Sequence, residues 1–173
     1  MAGNVPKIVV IGPGYVDMVV RCAEFPVAGQ TVSGTGFSCS STGSGPNQAV
    51  EAALCGCEVS LVGKVGGDEA ASVIRKTLTE YGVSDEYIFA AEAKNTGAVM
   101  TFVNAEGENA SCMFEGANSA LTEQDISNAE QVIAEADVCL INGRLPQETV
   151  LTAVRTATIQ GTKSILDPAK PID

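Results

Sequence analysis

The residues best suited to chemistry lie in one stretch, Thr42-Gly43-Ser44-Gly45-Pro46-Asn47-Gln48-Ala49. Two glycines and a serine leave backbone N–H groups uncovered. Pro46, a residue favoured at the first helical position, then opens a run of good helix formers from Gln48 to Leu54. A helix that leaves a glycine-rich turn presents unpaired N–H donors and the positive end of its dipole. It can therefore hold a polar or anionic ligand. Asn47 adds an amide at the rim that both donates and accepts. The competing reading is a flexible Ser/Gly loop, Ser38 to Gly45, that merely enters a helix.

Two other places carry candidate chemistry. Gly12-Pro13-Gly14 follows an apolar run and resembles the start of a dinucleotide-binding turn, but position 17 is Asp where the third glycine would stand. The Val-rich segment from Tyr15 to Cys22 predicts a strand, not a phosphate-binding helix, and a nicotinamide cofactor is rejected on that ground. Arg144 follows a strand ending near Asn142, at the sheet edge where open α/β folds bind ligands. A guanidinium there can pair bidentately with a carboxylate or phosphate of a substrate. It can equally pair with a neighbouring carboxylate such as Glu148.

Composition bounds the partners. The 173 residues carry a net charge of −11 with no basic cluster, a poor surface for nucleic acid or anionic membrane. No apolar run approaches the ~18 residues of a membrane span. The segment Met1 to Lys7 lacks a charged region followed by a long apolar one, so no signal peptide is expected. With no histidine and a Cys55-Gly56-Cys57 spacing, no zinc site is expected. A 45% hydrophobic composition needs no disulfide staples, and most of the six cysteines are expected to be small buried thiols in a reducing cytoplasm.

The elements that must position these residues alternate between strand and helix. Ile8-Val9-Val10-Ile11 and Glu58 to Val62 predict buried core strands, and Asp137 to Asn142 and Lys163 to Leu166 predict two further strands. Asp68 to Tyr81 predicts a helix with Ala71, Ile74, Leu78 and Tyr81 on one face and Gly82 at its end. Thr122-Glu123-Gln124-Asp125 reads as a capping box that opens a helix burying Ile126, Ala129, Ile133 and Ala136. Pro146 is expected at the first position of a helix that buries Val150, Leu151, Val154 and Ala157, with Gly161 ending it. Repeated strand–helix–strand units predict a parallel sheet covered on both faces. The segments 15–37 and 97–114 break that rhythm. They predict a small second sheet, the latter as a hairpin about Ala105-Glu106-Gly107.

These residues together resemble the N-terminal part of the ribokinase-like carbohydrate kinases, from Ile8 to about Lys170. The markers are Asp17, Gly43-Ser44-Gly45-Pro46-Asn47-Gln48-Ala49, Phe102 to Asn109, Gly116-Ala117-Asn118 and Leu166-Asp167-Pro168-Ala169. The resemblance implies an α/β three-layer sandwich with a β-sheet lid inserted at about 15–37 and 97–114. Residues 1–173 would form the N-terminal portion of one such domain. It implies ATP- and magnesium-dependent phosphorylation of a sugar hydroxymethyl group, and a homodimer through the lid. By position, Asp17 and Asn47 match residues that bind sugar hydroxyls, and Gly43 and Ser44 lie in the loop that cradles the sugar.

Three departures bear on the sugar. A lysine of many ribokinases is replaced within Thr42-Gly43-Ser44, Tyr15 stands where they place an asparagine, and Arg144 aligns with a ribose-binding glutamate. The family's catalytic aspartate, in Gly-x-Gly-Asp, and most of its nucleotide pocket belong to a C-terminal half expected beyond Asp173. Gly66-Gly67-Asp68 has Val65 where that motif needs glycine, and reads as a structural turn. Two functions stay open: part of a sugar kinase that is inactive alone, or a non-catalytic module that binds a ligand or dimerises.

Overall fold

Four apolar residues in a row are satisfied by a strand buried on both faces, and Ile8 to Ile11 occupy the centre of the main sheet. The computed structural model describes residues 5–169. Residues 1–4, part of the segment read for a signal peptide, and Lys170, the expected limit of the resemblance, lie outside that range. In chain order the elements are β1 (Lys7–Ile11), β2 (Tyr15–Cys22), β3 (Gly34–Thr42), α1 (Ser44–Leu54), β4 (Glu58–Gly66) and α2 (Ala70–Glu80). They continue with β5 (Ile88–Ala91), β6 (Ala98–Val103), β7 (Asn109–Phe114) and a 3-10 turn (Gly116–Ala120). The chain then forms α3 (Glu123–Asn128), α4 (Glu130–Glu135), β8 (Val138–Asn142), α5 (Gln147–Gln160) and β9 (Lys163–Asp167).

The main sheet has the order β5-β4-β1-β8-β9, with every pair parallel. Strand alternation divides β1 between two cores. Val9 and Ile11 pack with Ile126, Ile133, Ala153 and Ala157 from α3, α4 and α5. Val10 packs with Ala49 of α1 and Ile74 and Leu78 of α2. Each fully buried Val, Ile or Leu among them stabilises the fold by about 1.5–3 kcal/mol. The result is helix, sheet and helix in three layers. The second sheet, ordered β3-β2-β6-β7, is antiparallel at both edges and parallel between β2 and β6. It is the lid.

Several boundaries differ from the sequence reading, each for a local reason. The Ser/Gly segment is not a loop: β3 runs past Phe37 to Thr42, which faces Tyr15 on β2. Pairing to β2 satisfies its backbone, and this outweighs the weak strand preference of its serines. Helix α1 starts at Ser44, two residues before Pro46. The proline still lies in the first turn, where its missing N–H costs nothing. Pro146 likewise sits just before α5 rather than at its first position.

The helix expected after Thr122 is broken at Ala129 into α3 and α4, although its capping box is present. Leu151 and Tyr81 are exposed. Ala153 takes the place of the first in its helix, and Val83, just after α2, is buried in place of the second. Strand β5, only four residues long, had no sequence expectation. The cysteine expectation is also corrected: all six are free, and only Cys22 and Cys139 are buried. Cys39 and Cys112 sit on lid strands and Cys55 at a helix end, where small thiols remain exposed. Burial pushes the Cys139 thiol up to about 12.

Candidate functional site

The turn into α1 is shaped by close backbone contacts that only glycine permits. A Cβ on Gly45 would lie 2.6 Å from the Gly12 carbonyl oxygen, so the start of α1 rests directly on the end of β1. Gly43 has φ 105°, in the left-handed region, and a Cβ there would meet the Pro13 carbonyl at 2.6 Å. This packing uses up donors that the sequence left uncovered. The Gly45 N–H donates to Pro13 O at 3.1 Å and the Asn47 N–H to Gly43 O at 3.0 Å. Pro46 has none, so Ser44 alone keeps a first-turn N–H without a partner among the described residues.

Between this turn and the inner face of the lid lies an open cleft of about 610 Å³. Asp17, Gly43, Ser44 and Arg144 all line it. Asn47 does not. It sits on the exposed side of α1, by a separate recess with Gln48, Glu51 and Leu140.

Asp17 is placed by β2, and its Oδ1 accepts a hydrogen bond from the Thr101 hydroxyl at 2.9 Å. Across the cleft mouth, β8 and β9 end in Asn142 and Asp167. Asn142 donates to Asp167 Oδ2 at 2.9 Å and accepts from the Arg144 N–H at 3.1 Å. Gln48 donates to the same Asp167 oxygen at 3.4 Å, and the Ala169 N–H to the other at 3.0 Å.

Arg144 does not pair with Glu148. Its Nη1 lies 3.0 Å from the Met113 sulfur and 4.0 Å from Glu115 Oε1. Glu115 in turn accepts from the Tyr15 hydroxyl at 2.5 Å. Burial, and then the Glu115 carboxylate, hold the Tyr15 phenol well above its usual pKa, so it stays a neutral donor.

Asn118, buried, both accepts from the Gly14 N–H (3.1 Å) and donates to its carbonyl (2.8 Å), fixing the β1–β2 turn under the cleft. Asp68 has a different task. Thr96 donates its hydroxyl to one oxygen at 2.5 Å and its N–H to the other at 2.9 Å, pinning the loop before β6. Burial works to raise this carboxyl, but the Thr96 and Asn95 donors outweigh it and hold it below the usual range. Gly66-Gly67-Asp68 is thus a structural turn.

The sequence reading named Asp167 only within a motif and gave no role to Thr101, Ser111, Asn142 or Glu115. A signal for two of them existed: Asn142 and Asp167 are polar residues ending parallel strands, where open α/β sheets bind ligands. Among the described residues no group of three or more His, Cys, Asp or Glu could hold a metal. No helix there is long and apolar enough to cross a membrane.

The chain is a three-layer parallel α/β unit with a small second sheet bordering a cleft at the strand ends. Residues 5–172 match the family described as pfkB family carbohydrate kinase, and the chain belongs to that family. It is 37% identical over 163 residues to ribokinase of Bacillus subtilis, covering 94% of this chain and 55% of that protein. It is 30% identical over 162 residues to deoxyribokinase of Salmonella typhi, covering 94% and 53%. The ribokinase structure from Cryptococcus neoformans var. grubii serotype A in complex with ADP superposes with a TM-score of 0.77 at 25% identity, over 95% of this chain and 50% of that one. The chain thus spans about half the length of the relatives it matches.

Proposed function

We propose that this chain is the sugar-and-lid portion of an ATP-dependent kinase that phosphorylates a hydroxymethyl group of a pentose-like sugar in the cytoplasm. The observation that carries the reading is Asp17, held by the lid inside the cleft opposite Gly43 and Ser44. A carboxylate there orients sugar hydroxyls, and Ser44 adds a hydroxyl and a backbone donor. The ribokinase and deoxyribokinase relatives support the substrate class, and the ribokinase bound to ADP supports nucleotide use. Asn47 would contribute only if the sugar reached past the cleft wall onto α1.

Magnesium is usually held by one or two carboxylates together with nucleotide phosphates and waters, and no step is derived through it. The described residues lack a base beside an anion hole. The helix start that lines the cleft, that of α1, offers little beyond the Ser44 N–H. The 173 residues alone are therefore expected to turn over far below the ordinary kinase range of about 1–100 per second.

The outer lid face supports a homodimer formed lid to lid. Met18, Val20, Met100 and Phe102 point away from the cleft by strand alternation, and Phe37, Met100, Phe102 and Phe114 are exposed. Exposed apolar area of that kind marks an interaction surface.

The test is sugar-dependent ATP consumption by the intact gene product across neutral and acidic pentoses, with Asp17→Asn alongside. Loss of a charged acceptor is expected to weaken sugar use by roughly 10- to 100-fold with little change in melting temperature. Unchanged saturation by every sugar removes Asp17 from the site.

A further inference from the structure

Thr101 and Ser111 form a directed chain with Asp17 across three neighbouring strands. Asp17 lies on β2, Thr101 on β6 and Ser111 on β7, and all three side chains line the cleft. Thr101 and Ser111 face each other in the register of β6 and β7, while Thr101 faces Val19 on β2. Its hydroxyl therefore reaches diagonally along β2 to Asp17 Oδ1, at 2.9 Å. The Ser111 and Thr101 oxygens are 3.1 Å apart.

Proton counting fixes the direction of this chain. An ionised carboxylate can only accept, and a hydroxyl carries one proton. The Thr101 proton must therefore go to Asp17, so the Thr101 oxygen accepts from Ser111. Chains of this kind strengthen each bond by polarising the next. Asp17 Oδ1 thus accepts one bond and keeps a further lone pair, whereas Oδ2 has no hydrogen-bond donor among the described residues. A carboxylate side chain in an open cleft would otherwise lose rotational freedom when it binds, and that loss weakens affinity.

We propose that Thr101, backed by Ser111, is a positioning residue that holds the Asp17 carboxylate in the orientation that meets the sugar hydroxyls. This rests on the reading of the cleft as a sugar site. It deepens that reading by naming the residue that orients the acceptor.

The experiment is calorimetric titration of D-ribose and its 1-, 2- and 3-deoxy analogues into the intact gene product. Thr101→Val keeps the shape and removes the donor, and is expected to weaken ribose binding roughly five- to tenfold. Thr101→Ser should restore it to within about twofold, and Ser111→Ala should weaken it by a smaller factor, about two- to threefold. Thr101→Val added to Asp17→Asn should cost nothing further, since Thr101 acts through Asp17. Asp17→Asn should reduce discrimination against those deoxy analogues whose missing hydroxyl Asp17 meets.

Ribose bound equally tightly by the wild type and Thr101→Val, with Asp17→Asn still weakened, overturns the positioning role and leaves the sugar site standing. No ribose binding by the wild type overturns the sugar reading and this proposal together. Should Thr101→Val fail to fold, Ser111→Ala decides: unchanged ribose affinity at unchanged melting temperature rejects the chain.

Discussion

Lys64 Nζ lies 2.6 Å from Asp125 Oδ2, joining the middle of β4 to the first turn of α3 with both side chains largely buried. The same oxygen accepts from the Thr122 N–H at 2.7 Å and the Thr122 hydroxyl at 2.8 Å. One carboxylate thus closes the capping box and ties a helix to the main sheet. Burial works to raise its pKa, but the donors from Lys64 and Thr122 outweigh burial and hold it below the usual carboxylate range.

That depression sets the pH dependence of stability. A carboxylate whose folded pKa is lowered stabilises fully above its unfolded value, and the contribution is lost as pH falls through the folded one. Asp68 acts in the same direction. Lys64→Met strands a buried charge and is expected to cost about 3 kcal/mol at neutral pH. Between roughly pH 5 and pH 2 its urea midpoint should fall less than that of the wild type, because the ion pair is already gone. Parallel slopes for the two proteins would show that the pair does not set the acid limb.

Gly45 and Gly12 give a second prediction. The neighbours that a Gly45 Cβ would meet are backbone atoms of Gly12 and Pro13, which cannot rotate away. Gly45→Ala should therefore cost about 1–3 kcal/mol by overpacking, or several degrees in melting temperature at roughly 2–4 °C per kcal/mol. Because the strain falls on the turn that carries Gly43 and Ser44, sugar affinity should drop as well. A variant that melts like the wild type would mean the strand and helix separate freely there.

This contact also explains what the sequence could and could not show. Ile8 to Ile11 were legible as a buried strand because four apolar residues in a row have few other solutions. Thr122 to Asp125 was legible as a capping box because its partners are three residues apart. The use of Gly12 was not legible, since Gly45 lies far along the chain and only the fold brings the two backbones together. The same holds for Arg144, whose contacts Met113 and Glu115 come from the lid, while Glu148 was merely near in sequence. The segment Ser38 to Thr42 looked like a loop because its composition is small and polar. Its pairing to β2 is a tertiary fact.

The lid supplies a third prediction. Phe102 on β6 faces Val20 on β2, on the side away from the cleft, and both belong to the apolar outer face. A homodimer there should be lost in a Phe102→Ser, Met100→Ser double variant, with the cleft-facing side chains of β6 left in place. Sedimentation at high concentration should report a dimer for the wild type and a monomer for the variant. A monomeric wild type with an ordered lid would count against the lid-to-lid assembly.

Arg144 supplies the last. Its guanidinium carries five N–H donors, and the groups near it satisfy them poorly: a thioether is a weak acceptor. Glu115, at 4.0 Å, is already engaged by the Tyr15 hydroxyl. Among the described residues that line the cleft, Arg144 is the sole cation, set against the carboxylates of Asp17 and Asp167. A sugar acid would complement both signs, its hydroxyls toward Asp17 and its carboxylate paired bidentately with Arg144. Arg144→Ala is then expected to weaken D-ribonate by about tenfold or more while changing D-ribose by less than about twofold. Glu115→Gln removes the competing carboxylate and should tighten D-ribonate binding without affecting D-ribose. Equal losses for the two sugars in Arg144→Ala, or no gain for the acid in Glu115→Gln, would assign Arg144 to holding the lid against the β8 end instead.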